Sequence, residues 1–242
     1  MKLARALIAL LGILAALPSY AAIALVSHTS VQGAGSGTTG AINTTGATLE
    51  VAIISDSSGT PTLTDSLGNT WVQIGTYEVD GNSDALIGVF YVSNPTVGAS
   101  QTFSIATCNF CTLAVAAFSG TATSSVLSGH TQGNSASGSS INAGSITPPA
   151  NNYLFVAGAV ANNSNSLSSI GSSFTITDNG AYNPGVAESG ALAYFVQGTA
   201  GALNPTWTTD NAFGGAAVLV TFAPPGGVAA VQPKFTLLGV GP

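Results

Sequence analysis

Positive charge is nearly missing from this chain. Three Lys and Arg stand against nine Asp and Glu, for a net charge of −6, and charged residues make up 5% of the sequence. An ordinary soluble domain carries about 25%. Phosphate backbones and anionic headgroups are bound by clustered Lys and Arg, so nucleic acid and an anionic membrane surface are excluded as expected partners. Histidine is scarce too: the only two are His28 and His130. A Ser-His-Asp triad would have to use one of them, and the sequence puts His28 at the end of a strand and His130 beside a turn, as exposed loop-edge residues. No G-x-S-x-G elbow occurs. The Gly33-Ala34-Gly35-Ser36-Gly37 run lacks the Lys and the following helix of a phosphate loop. Helical periodicity is also missing beyond the first 21 residues.

Those first residues read as a secretory leader. Lys2 and Arg5 form a positive start, Ala6 to Leu17 is an unbroken apolar run, and Ser19-Tyr20-Ala21 offers small residues for cleavage after Ala21. The apolar run is shorter than the ~20 residues needed to cross ~30 Å of hydrocarbon, so no stable membrane span is expected after processing. Cleavage removes two of the three bases. Lys234 is then the sole base against nine acids, a net charge of −8. The expected location is secreted, extracellular or on the cell surface.

What remains is roughly 220 residues, a usual length for one β domain. Short β-branched and aromatic runs alternate with Gly, Asn, Ser and Pro clusters, the signature of strands and turns. Trp71–Val79 alternates in the manner of a half-buried strand. Tyr153–Ala159 and Ala216–Phe222 are continuously apolar, as central strands are. Gln101–Ala106 and Thr112–Ser119 read as two separate strands, and Gly33–Gly46 as a flexible loop. The expectation is an all-β, two-sheet antiparallel sandwich with jelly-roll wiring over residues 22–223. A transmembrane barrel would want aromatic girdles and longer strands. Residues 224–242 form a Pro/Gly hinge and an apolar tail. Phe235, Leu237, Leu238 and Val240 in that tail are candidates for an extra strand donated to a neighbouring copy.

Cys108-Asn109-Phe110-Cys111 is the most specific local pattern. An even cysteine count in an exported chain points to a disulfide. Along one extended strand the two Cα atoms would lie ~10 Å apart, beyond the ~4.4–6.8 Å that a disulfide spans. The pair is therefore expected to flank a hairpin turn. A redox pair would want a helix N-terminus, and zinc would want two further ligands. Asp80-Gly81-Asn82-Ser83-Asp84 places oxygen ligands at alternate positions, making Asp80, Asn82 and Asp84 a calcium candidate. Ala85 and Tyr91 then occupy positions where an EF-hand needs Gly and a carboxylate, so a hairpin turn is the main expectation. No other cofactor is expected.

Asp65-Ser66-Leu67-Gly68-Asn69-Thr70-Trp71 suits an Asx-turn with Gly68 at positive φ. Preceded by Gly59-Thr60-Pro61-Thr62, this run resembles a group of exported bacterial and phage-associated β-sandwich domains. The likeness extends loosely from Ile23 to Phe222, through Ala114–Gly120 and Asn151–Phe155. It implies a sandwich fold and surface or virion display, with no catalytic residue carried over. The Cys108–Cys111 pair and the apolar tail depart from the group.

Three functions follow as expectations. The first is a non-catalytic structural or adhesive surface protein, self-associating into filaments or arrays by strand pairing. The alternative is a secreted carbohydrate-binding module using Trp71, Tyr77, Tyr182 or Trp207. The third is a glycan hydrolase pairing carboxylates among Glu50, Glu78, Asp80, Asp84 and Glu188. Asn43 and Asn162 head N-x-S/T sequons.

Overall fold

A computed structural model describes residues 22–82, 84–161, 167–186, 188–210 and 214–226. Residues 1–21, read above as a leader, the Asn162 sequon, and the tail residues Phe235, Leu237, Leu238 and Val240 lie outside the described residues. Among those described there is no helix. The first half of the chain supplies strands β1 (Ala24–Thr38), β2 (Leu49–Asp56), β3 (Gly59–Asp65), β4 (Val72–Val79), β5 (Leu86–Ser93) and β6 (Phe103–Ser119). The second half supplies β7 (Leu127–Ser135), β8 (Ser140–Asn142), β9 (Tyr153–Ala161), β10 (Leu167–Ile170), β11 (Thr175–Gly180), β12 (Ser189–Gln197), β13 (Thr206–Thr209) and β14 (Gly215–Phe222).

Two antiparallel sheets pack face to face as a β-sandwich. One has the order β1-β6-β2-β5-β4 with β3 also on β6; the other has the order β11-β12-β9-β14-β7. The strand order establishes a sandwich and does not by itself establish jelly-roll wiring. It does reveal an internal duplication. Reading β7 for β1, β9 for β2, β11 for β4, β12 for β5 and β14 for β6 turns the first order into the second. The third sheet, β10-β13-β8, matches the group formed by β3, the first half of β6 and the end of β1.

The register carries the equivalence to single residues. Leu25 pairs with Phe118 and Leu127 with Phe222; His28 pairs with Ala116 and His130 with Val220. Each outer strand then bulges by one residue at the same place, Val26 in β1 and Ser128 in β7. Aromatic contacts between the sheets are reciprocal. Tyr91 of the first half meets Phe222 of the second at 5.7 Å, and Phe118 of the first meets Tyr194 of the second at 5.4 Å. Reciprocal contact of this kind is the mark of a two-fold relation.

Each half is itself two layers thick, which explains the continuous apolar strands. Leu49, Val51 and Ile53 of β2 face Leu154, Val156 and Val160 of β9 in the central core. The alternate residues, Ala52 and Ile54, face an outer core with Phe103, Ile105 and Leu63. In the second half, Tyr153, Phe155 and Ala157 point outward to Ile141, Leu167 and Trp207 of the small sheet. A strand covered on both faces cannot alternate polar with apolar, so Tyr153–Ala159 and Ala216–Phe222 are central strands as their composition predicts. At the centre, a Cβ on Gly158 would come within 2.8 Å of the Ile53 side chain. Glycine there lets the two sheets close.

Two strand expectations need correction. β1 does not end at His28 but continues to Thr38 through the glycine-rich run expected to be a loop. It continues because β6 offers it a ladder along the whole length, with Gly33 opposite Cys111 and Gly37 opposite Ile105. β6 is likewise one strand of 17 residues where two strands and a hairpin were expected. It folds its first half over the outer face of the sheet, so that Phe103 and Ile105 pack against Leu113 and Val115 of the same strand.

Candidate functional site

The bend in β6 is where the cysteines lie. Cys108 and Cys111 are bonded, with Cα atoms 5.9 Å apart. The geometric premise holds, since the chain there is not extended, but the device is a bulge within one strand. Between Ala34/Ser36 of β1 and Phe110/Ala106 of β6, four steps of β6 match two of β1, and Thr107 takes a φ of 57°. Asp56 holds the bulge from the end of β2. Its Oδ1 accepts the backbone N–H groups of Ser57, Asn109 and Phe110 at 2.8, 3.0 and 3.2 Å. Burial pushes the Asp56 carboxyl above its ordinary value, against those hydrogen bonds. The disulfide closes a ring of four residues, for which loop entropy predicts about 2 kcal/mol. Reduction, or the double change Cys108→Ser with Cys111→Ser, is therefore expected to lower unfolding stability by about that amount in urea titrations with and without reductant.

Asp65 organises the turn that precedes β4. Its carboxylate accepts from Leu67 N at 2.8 Å, Asn69 N at 3.2 Å, Asn69 Nδ2 at 3.3 Å and Trp71 Nε1 at 2.9 Å. Gly68 takes a φ of 73°, as an Asx-turn here requires. Asn69 extends the clasp by accepting from Thr96 N at 2.7 Å. The Asp65–Trp71 run is thus a structural clasp. Near it, Glu50 of β2 is wholly buried and accepts from Gln101 Nε2 at 3.2 Å, and Gln101 Oε1 accepts from Thr44 at 2.6 Å. Burial, reinforced by the negative charge of Asp65, raises the Glu50 carboxyl to about 7 against the Gln101 hydrogen bond. A carboxyl that titrates near neutrality is the usual form of a general acid. Neither cleft described below is lined by Glu50.

The other expected site residues are dispersed. Glu78 accepts from Gln132 at 2.7 Å and Asn134 at 2.6 Å, joining β4 to β7. Glu188 is buried on the approach to β12, where its N–H donates to the Phe110 carbonyl at 2.8 Å. Asp80 makes the expected turn: its Oδ1 accepts from Asp84 N at 2.8 Å and Ala85 N at 3.1 Å. The Asn82 amide donates elsewhere, to the Ala136 carbonyl at 2.8 Å. Among the described residues no three His, Cys, Asp or Glu gather as a metal group.

The histidines correct the loop-edge expectation, because both lie within strands. His28 Nδ1 is 3.1 Å from Asp178 Oδ2 across the seam between β1 and β11. His130 holds the equivalent position on β7, where its ring faces Gly75 of β4. Asn43 is exposed, and its Oδ1 accepts from Thr45 N at 3.0 Å.

Of the four aromatics considered for sugar stacking, Trp207 is fully buried in the outer core of the second half. Its polar neighbours Thr206 and Thr208 mark a half-exposed strand, but β13 turns the Trp face inward. Trp71 is half-buried, bonded to Asp65, and edge-on to Phe103 at 6.0 Å. Tyr182 is half-buried in the second half. Tyr77 alone lines a described cleft. That cleft, about 460 Å³, lies between β3 and β4 and is bounded by Thr60, Thr62, Gln73, Thr76, Tyr77 and Phe90. A larger one of about 740 Å³ lies where the halves join, lined by Thr48, Thr121, Ser124 and Ser125 beside Pro225.

Comparison with protein-family models, with curated proteins and with solved structures finds no match.

Proposed function

We propose that this is an exported, non-catalytic surface protein that works by adhesive or structural contact. One observation carries the reading: polar groups that could serve chemistry hold the framework. Asp56, Asp65 and Asp80 each accept two or more backbone N–H groups of a bulge or turn. Glu78 bridges β4 to β7, and His28 bridges β1 to β11. The leader, the disulfide and the acidic, base-poor composition suit life outside the cell. The resemblance of the Asp65–Trp71 run to display domains points the same way.

The contact is made by faces and clefts, not by the core edges. All four outer strands carry a register shift: β1 at Leu25/Ser27, β4 at Ile74/Glu78, β7 opposite Thr221/Phe222 and β11 at Ile176/Asp178. Bulges of this kind twist an edge away from pairing with another chain. Filament growth by a strand donated from the apolar tail would therefore have to use an edge other than these four. Removing residues 227–242 is expected to abolish any large assembly seen by light scattering, and assemblies that survive the truncation would end the donated-strand version.

Cell fractionation with protease shaving tests the main reading. The protein is expected in the surface or culture fraction, starting near Ala22; a full-length chain retained in the cytoplasm contradicts it. Glycan recognition is the second reading, favoured by the cleft between β3 and β4.

A further inference from the structure

We infer that the cleft between β3 and β4 is a binding site for a neutral saccharide. The inference rests on the surface-contact reading above and names a ligand for it.

The duplication makes this cleft conspicuous. Where the first half has Phe90, paired with Ala52 on β2, the second half has Ala193, paired with Ala157 on β9. Where β11 bulges by one residue between Ile176 and Asp178, β4 bulges by two between Ile74 and Glu78. The three residues of β4 that span the bulge, set against Gly88 alone on β5, are a wall of the cleft: Gly75, Thr76 and Tyr77. Bulges beside binding sites serve to re-aim a side chain, and this one aims Tyr77. Gly75 takes a φ of 66°, so the strand can turn out of the ladder there. The Tyr77 ring then lies over Gly88, where a Cβ would come within 2.5 Å of it. The ring also meets Phe90 edge-on at 6.1 Å, and its hydroxyl donates to the Pro61 carbonyl at 3.1 Å. Burial and the charge of Asp56 raise the Tyr77 phenol to about 12, which keeps it protonated and in that hydrogen bond. An aromatic fixed in place by three separate contacts is preorganised, so little ordering cost falls on the ligand.

The lining chooses the ligand. Its side chains are hydroxyl, amide, aromatic and proline, with no ionisable group apart from the Tyr77 phenol. A charged metabolite would find no counter-ion, and a phosphate no base. An extended peptide would need a β4 ladder, which the bulge interrupts. A sugar ring offers C–H groups to an aromatic face and hydroxyls to Thr60, Thr62, Gln73 and Thr76. A volume of about 460 Å³ falls within the usual small-ligand range of ~300–1,000 Å³.

The test uses the full mature chain and neutral gluco-, galacto-, manno- and xylo-oligosaccharides, read by saturation-transfer NMR and titration calorimetry. One series is expected to saturate a single site. Gln73→Ala is expected to weaken Kd about tenfold, the loss of roughly 1.4 kcal/mol. Thr76→Arg, an exposed position that cannot endanger the core, is expected to abolish binding, as is Tyr77→Ala. Tyr182→Ala, in the other half, is expected to leave Kd unchanged. Binding that survives both Gln73→Ala and Thr76→Arg overturns the site. Silence from all four series in a protein that fractionates to the cell surface overturns the saccharide and leaves the surface reading standing. Retention in the cytoplasm overturns the surface reading itself, whatever the cleft binds.

Discussion

Phe118→Ala and Phe222→Ala are each expected to lower unfolding stability by about 3–5 kcal/mol, and by nearly the same amount. Both rings are fully buried in the central core. Both lie at the C-terminal end of the strand beside the outer one, each opposite a leucine of that outer strand, Leu25 and Leu127. Each touches a tyrosine of the other half, Tyr194 and Tyr91 respectively. Truncation removes the transfer energy of a phenyl group and leaves a cavity that a rigid double sheet cannot collapse to fill. Near-equality is the informative part. Two independent domains would lose stability in two separate transitions, whereas one shared core loses it in one. Urea unfolding followed by fluorescence and by circular dichroism checks this: each variant should show a single coincident transition, shifted to a similar midpoint.

The second large effect is a pH dependence centred on Glu50. Its carboxyl rises from an ordinary 4.5 to about 7 on folding, chiefly through burial. The folded state therefore holds a proton that the unfolded chain gives up between those two values. Stability from this group is fully present at pH below about 4.5, falls as pH rises toward 7, and is lost above it. A shift of that size corresponds to about 3 kcal/mol at most. Glu50→Gln keeps a neutral side chain of the same shape beside Gln101. It is expected to flatten this slope and to make the protein more stable than wild type at about pH 8, by up to about 3 kcal/mol. Urea midpoints for both proteins at about pH 4 and about pH 8 read the effect. A wild-type slope that survives Glu50→Gln assigns it to other carboxyls.

Much of the fold was legible because its signals are local. β-branched runs, Gly and Asn punctuation and the missing helical period give strands and turns. Asp65 and Gly68 announce their Asx-turn, and Asp80 its hairpin. The cysteine spacing rules out an extended strand at that point. Its actual solution, a bulge in one long strand, depends on β1 continuing alongside, and that pairing is non-local. Glycines Gly33, Gly35 and Gly37 read as a loop because propensity ignores the partner that β6 supplies.

The duplication was hidden for a related reason. Equivalent positions keep shape and spacing more than identity. Gly68 and Trp71 answer to Gly171 and Phe174, and Phe103 to Trp207, while His28-Thr29 and His130-Thr131 match outright. Between such points, doubly buried strands accept almost any apolar residue, so β2 and β9 share a pattern and few letters. In the candidate site, Tyr77 was recognisable as an aromatic on an alternating strand. Gln73, Thr76 and Phe90 join it only because β4 bulges, and a bulge of two residues leaves no mark in the sequence beyond Gly75.

One measurement bears most directly on the claim that two equivalent halves share a single core. Aromatic side-chain NOEs in the full chain should connect Tyr91 with Phe222 and Tyr194 with Phe118, the pairs at 5.7 and 5.4 Å between ring centroids. Contacts of Tyr91 with Phe118 and of Tyr194 with Phe222, each confined to its own half, would contradict the account.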